Sequence, residues 1–220
     1  MKRMKIRPFS DGDSYATFQG LREKTVREIE GLDNDYVLKA SAAELEQYYL
    51  DKVTVIPLSL DTTGYYIESQ EGTQIDVTGD FRRATFGPGP HYVKGTVVGI
   101  AVPFTGDPQL WRIRASTYSI SGYPELEVRD DIVVFQCRFP DDSPEPQRLK
   151  ADIDRTVQSL KEAVGHLASN VENHNREAAS TIRTALQRKL QKAQTAVNAV
   201  SSLGIPIRQQ HQSDRPLAGA

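Results

Sequence analysis

With 220 residues, 38% of them apolar and 25% charged, the chain is long enough for a full hydrophobic core and too apolar for wholesale disorder. Its net charge of −2 gives no global electrostatic case for nucleic-acid or membrane binding. The single cysteine, Cys137, excludes an intrachain disulfide and a thiolate metal site, and no apolar run approaches the ~20 residues that span a bilayer.

Residues 1–13 carry Lys2, Arg3, Lys5 and Arg7 and read as a flexible basic arm. The Pro-Phe-Ser-Asp-Gly-Asp that follows is no apolar signal core, so a cytoplasmic location is expected. A helical spacing begins at Ser14, with Phe18, Leu21, Thr25 and Ile29 three or four apart before Gly31. Ser41-Ala-Ala-Glu44 is a capping box opening a second helix whose apolar face is Leu45, Tyr48 and Tyr49. From Val53 to Phe139 the pattern is extended. Strands are predicted over Val53–Leu58, over Tyr65–Ile67 paired with Thr73–Thr78, from Tyr92 to Phe104, at Trp111–Arg114, around Leu126 and Val128, and from Ile132 to Phe139. Short turns between strands favour an antiparallel meander, as a sandwich, a partial barrel or a single curved sheet. Residues 14–139 thus form the helices and the β domain.

Pro140-Asp-Asp-Ser-Pro-Glu-Pro146 reads as a proline-rich linker. Beyond it, Leu149, Ile153, Val157, Leu160, Val164, Leu167 and Val171 form a heptad-like stripe, and Ile182, Leu186, Leu190, Ala193, Val197 and Val200 form another. The helix-indifferent residues from Asn170 to Asn175 predict a turn between them. The expected fold is therefore α+β, with N-terminal helices, the meander and a C-terminal antiparallel helical hairpin over 147–204, ahead of a polar tail at 205–220. The hairpin reads as an appendage with its own seam, able to dimerise through Leu160, Val164 and Leu186.

No grouping of residues supplies a reaction, and no catalytic, cofactor or metal residue is assigned. Asp76 with Glu125-Leu-Glu127 only superficially resembles the strand acids of a restriction-type nuclease, because a lysine would be needed where Glu127 stands. Ligand-binding candidates are Arg82 and Arg83, and Arg112 and Arg114 beside Trp111; there guanidinium groups near aromatics suit a nucleotide or phosphate. Residues 172–220 hold seven Lys/Arg against Glu172, Glu177 and Asp214, and Arg183, Arg188, Lys189 and Lys192 could give weak DNA binding. The same arginines equally fit wet strand and helix faces.

Three segments carry a resemblance: Gly99-Ile-Ala-Val-Pro-Phe-Thr-Gly-Asp-Pro-Gln-Leu-Trp-Arg-Ile-Arg-Ala-Ser116, Asn173-His-Asn-Arg ahead of Leu186-Gln-Arg-Lys189, and Leu203-Gly-Ile-Pro-Ile-Arg208. Over residues 41–208 the chain resembles the N-terminal part of uncharacterised bacterial proteins that carry a C-terminal restriction-endonuclease-like domain of the PD-(D/E)XK type. After Arg208 only a short polar tail remains, so no nuclease residue carries over. The resemblance implies a non-catalytic binding or regulatory module of a nuclease-linked bacterial system, of the kind used in defence, with a separately encoded nuclease as a partner. A small hydrolase or nucleotide-binding enzyme on the β domain, and a structural oligomerisation protein, stay open as alternatives.

Overall fold

A computed structural model describes residues 3–78, 89–117 and 122–203, which form a mixed α+β fold around a curled antiparallel sheet. In chain order the elements are β1 (Met4–Ile6), β2 (Gly12–Asp13), α1 (Ser14–Glu30), α2 (Asn34–Lys39), α3 (Ala42–Val53), β3 (Ser59–Leu60) and β4 (Tyr66–Asp76). They continue with β5 (Tyr92–Thr105), a 3₁₀ turn (Pro108–Arg112), β6 (Ile113–Arg114), β7 (Leu126–Val128), β8 (Ile132–Pro140) and α4 (Pro146–Ser201). The main sheet runs β1-β7-β8-β5, and both β3 and β4 pair with β5. Strand β5 is the spine, with Ile100 opposite Phe135 of β8 and Ile67 of β4.

Alternation gives the sheet two unlike faces. Ile6, Val98, Ile100, Val102, Phe104, Leu126, Val128, Val133 and Phe135 are buried on one side. Ile153, Val157, Leu160, Val164, Leu167 and Val171 of α4 join them in a single core. A smaller core lies farther along the same helix, where Ala178, Ile182 and Ala185 meet Ile29, Leu45, Tyr49 and Val53. No described helix is long and apolar enough to cross a membrane.

The two stripes of the C-terminal region belong to one 56-residue helix, not to a hairpin. At 1.5 Å per residue it is about 84 Å long. The predicted turn is absent because its polar residues have partners elsewhere. Asn170 Oδ1 accepts from Ser14 Oγ and from the Ser116 amide, both at 2.9 Å. Asn175 pairs with the backbone of Val55, its Oδ1 accepting the N–H at 3.0 Å and its Nδ2 donating to the carbonyl at 2.9 Å. His174, only 2% exposed, donates from Nε2 to the Val53 carbonyl and accepts at Nδ1 from Arg22, each at 3.0 Å, while Phe18 stacks on its ring. Residues that are indifferent helix formers become clamps for the irregular chain leaving α3, and tertiary bonding overrides propensity.

Other expectations change for equally local reasons. The first stripe of α4 seals the sheet, so the helix is not an appendage. Leu160 (0% exposed) and Val164 (4%) face that core and are unavailable as a dimer seam. The linker is anchored too, with the Asp141 amide on the Lys94 carbonyl at 3.1 Å and Thr96 Oγ1 on the Asp141 carboxylate at 2.7 Å. Within the expected arm, β1 pairs with β7 and β2 with β6. Residues 54–58 are irregular rather than a strand, and β4 is one strand with a bulge at Ile67/Ser69 where two paired strands were expected. Asp107 and Pro108 start the 3₁₀ turn at Trp111, the Asp107 side chain accepting the Gln109 amide at 2.9 Å. Helix α2, capped by Asp33 on the Tyr36 amide at 3.0 Å, has no counterpart in the expected elements.

Candidate functional site

Two concavities flank the β1–β7 side of the sheet. The larger, about 800 Å³, lies on the polar face, where Lys5 stands opposite Glu127. Part of its charge is paired internally. Arg129 Nε donates to Glu127 at 2.9 Å, and its other arm reaches Glu68 of β4, across two intervening strands. Arg3 lies 3.6 Å from the same Glu127 carboxylate. The hydrogen bond from Arg129, and then its charge, hold the Glu127 carboxyl below the usual glutamate range. Ion pairs thus engage Arg3, Glu68, Glu127 and Arg129, while Lys5, Glu71, Glu125 and Arg138 also line the groove.

The acid pattern seen in the sequence does not converge there. Asp76 lies opposite Tyr92 on β5, whereas Glu127 aligns through Val134 with Ala101. Nine residues along a strand separate those levels by about 30 Å. The Asp76 carboxylate instead accepts the Thr78 hydroxyl and amide, bonds that lower its pKa. No group of three His, Cys, Asp or Glu that could hold a metal occurs among the described residues. Cys137 is half-buried at the core margin, and burial raises its thiol pKa, which suits packing rather than nucleophilic attack.

The second concavity, about 450 Å³, lies between the β1–β2 connection, the segment around Arg114 and Tyr123, and one face of α4. That volume suits a small organic ligand. Its floor begins at Phe9, the only described non-glycine residue with a left-handed φ, at +57°. A bulky residue tolerates that conformation only when its surroundings impose it. Here the Phe9 amide donates to the Trp111 carbonyl at 2.8 Å and the Asp11 amide to that of Arg112 at 3.0 Å, after which β2 pairs in parallel with β6. The turn presents the Phe9 ring edge-on to Tyr123 at 5.3 Å and tilted against Trp111 at 5.7 Å. Trp111 is fully buried and meets Phe104 edge-on at 5.6 Å, so a row of aromatics ties the floor to the core.

Around this floor stand Arg7 and Arg114, both exposed, and Ser159, Glu162, Ala163 and His166, which helical spacing places on one face of α4. Glu125 completes the rim. Burial first, and then the Glu162 carboxylate, raise the Tyr123 hydroxyl pKa, keeping it a neutral donor near neutral pH. Two guanidinium groups, two carboxylates, an imidazole and two aromatic rings thus line a space of about 450 Å³.

Of the predicted ligand residues, only Arg114 lines this pocket. Arg112 turns away, with Nη1 on Asp11 at 3.2 Å and Nη2 on the Met4 sulfur at 2.9 Å. Arg82 and Arg83 lie outside the described residues. Arg183 is held by Glu46 at 2.8 Å, while farther along α4 Arg188 and Lys192 are exposed and Lys189 is half-buried. Sequence reasoning missed Arg7, Phe9, Tyr123 and His166, because three separate stretches of chain meet here, the first more than a hundred residues before the second. Only the Trp111–Arg114 motif signalled the place. No protein-family model matches the chain, and no curated protein or solved structure matches it.

Proposed function

We propose that this chain is a binding module that captures a planar, anionic small molecule of mononucleotide type in the pocket behind Phe9. The observation that carries the reading is the aromatic floor set in a strained turn beneath two guanidinium groups. A ring can stack on the half-buried Tyr123, with the buried Phe9 beneath it as support, while a phosphate meets Arg7 and Arg114, and Glu125 and Glu162 offer acceptors to ring N–H groups. In the setting the resemblance implies, a nuclease-linked bacterial system, occupancy of this pocket is the signal passed to a separately encoded nuclease. Among the described residues Ser159 and His166 share no hydrogen bond and no nucleophile–base pair lines the pocket, so the arrangement supports binding more than hydrolysis.

The test is calorimetric titration of the whole chain with a panel of purine and pyrimidine mononucleotides. Saturable binding is expected, weakened about ten-fold or more by Arg114→Ala through loss of a charge-assisted phosphate contact. Arg7→Ala, at an exposed position on the rim, should weaken it too by removing the second phosphate contact. No binding by any member of the panel, or binding indifferent to both substitutions, would refute the reading. A second reading rests on α4 itself: residues 178–201 include Arg183, Arg188, Lys189 and Lys192 and no acidic residue. Weak DNA binding through that stretch should fall steeply with added salt and be lost in an Arg188→Ala/Lys192→Ala variant.

A further inference from the structure

A separate groove of about 400 Å³ lies between α2 and α3, far from Phe9 in the chain and independent of the reading above. Its floor is apolar, from Leu32, Ala40 and Leu45, and its walls are three tyrosines and Glu44. Tyr36 and Tyr48 are large aromatic rings left 53% and 58% exposed, while Tyr49 is 5% exposed and stands edge-on to Tyr48 at 5.1 Å. Leaving two rings in water at the mouth of one groove forgoes burial that the fold could otherwise use. Among the described residues the Glu44 carboxylate is equally unspent. The sequence places it to close a capping box, yet only half of the box forms: the Glu44 amide donates to Ser41 Oγ at 3.4 Å and no return bond is made. Two nearby cations are committed elsewhere, Lys52 to Glu28 and Arg183 to Glu46, while Lys39 at the end of α2 is exposed to solvent.

Aromatic faces carry negative potential, and a carboxylate beside them adds a full charge, so the walls attract a cation while the floor takes an apolar stem. A guanidinium or primary ammonium brings several N–H donors, each needing an acceptor, and this groove offers one carboxylate and a few phenol oxygens. A methylated ammonium makes no such demand. We infer that the α2–α3 groove is a binding site for a small quaternary ammonium compound, held by Tyr36, Tyr48 and Tyr49 with Glu44 as counter-charge.

The experiment titrates the full chain with choline, followed by NMR chemical shifts, and repeats the titration with 3,3-dimethylbutan-1-ol, which has the same shape without the charge. Saturable choline binding is expected, with the neutral isostere bound about ten-fold or more weakly, as loss of one or two cation–π contacts implies. Glu44→Gln and Tyr48→Leu, both at exposed positions, should each weaken choline several-fold while leaving the melting temperature within a degree or two, since surface changes cost little. Equal binding of choline and its isostere would reduce the groove to a greasy cleft and overturn the inference. So would the absence of saturable choline binding, or choline affinity unchanged in both variants.

Discussion

Replacing Asn175 separates two descriptions of the long helix by the sign of the effect. On helix propensity alone, Asn175→Ala is stabilising by up to about 0.7 kcal/mol, because alanine is the better helix former. In the structure Asn175 instead clamps the N–H and C=O of Val55 through bonds of 3.0 and 2.9 Å. Removing the side chain leaves both backbone groups without that partner. An abandoned buried group costs about 1–3 kcal/mol, and Val55 is only half-buried, so the low end applies to each. The two together, less the propensity gain, give a net loss of about 1.5 kcal/mol. For a chain of this size that is a fall of about 3–6 °C in melting temperature. Scanning calorimetry on both proteins at neutral pH measures it, with Asn173→Ala as a control at a neighbouring exposed position. A melting temperature for Asn175→Ala equal to or above that of the parent would refute the clamp.

Further expectations follow from the same contacts. Burial, the largest cause, together with the Arg22 charge lowers the His174 pKa below the ordinary imidazole value, outweighing the Val53 carbonyl and Glu177, which raise it. Its contribution to stability is therefore complete above the unfolded pKa of about 6.5 and is lost as pH falls below that value. Urea midpoints between pH 7.5 and 5.5 should decline for the parent and decline less for His174→Gln. Leu160→Ala, at a site with 0% exposure, should cost about 2–5 kcal/mol by urea unfolding. A fragment ending near Asp141 should show no cooperative transition, since it lacks the stripe that seals the sheet. Incubated with plasmid in magnesium or manganese, the full chain should not cleave DNA, and cleavage abolished by Asp76→Ala or Glu127→Ala would overturn that.

The residues announced faces better than partners. Phe18, Thr25 and Ile29 do mark the buried side of α1, Ser41 does cap α3, and the alternation of Val98, Ile100, Val102 and Phe104 does place one face of β5 in the core. The stripe from Ile153 to Val171 is equally legible as a buried face, but periodicity cannot say whether a helix or a sheet covers it. Asn170, His174 and Asn175 were misleading for a related reason. Composition records that polar groups need partners, not that Ser116, Val53 and Val55 will supply them from more than fifty residues away. The strand-like alternation of Trp111 to Arg114 predicts a strand, but the Asp107 cap and Pro108 start a 3₁₀ turn that takes in Trp111 and Arg112. The Phe9 pocket could be read only in part, since its turn, its rim and its helical wall come from three remote stretches.

That α4 completes both cores has a consequence for how the chain is made. Strand β1 leaves the ribosome early, yet the apolar face to which it contributes stays uncovered until Val171 has been synthesised. At about 5–20 residues per second, the interval from Ile6 to Val171 is roughly 8–33 s. From their own synthesis until the end of that interval, Ile100, Phe104 and Phe135 present a sticky surface with no lid of their own. Productive folding is therefore set by the delay before the last helix arrives, and substitutions that lengthen the delay should lower yield without changing the stability of the finished molecule.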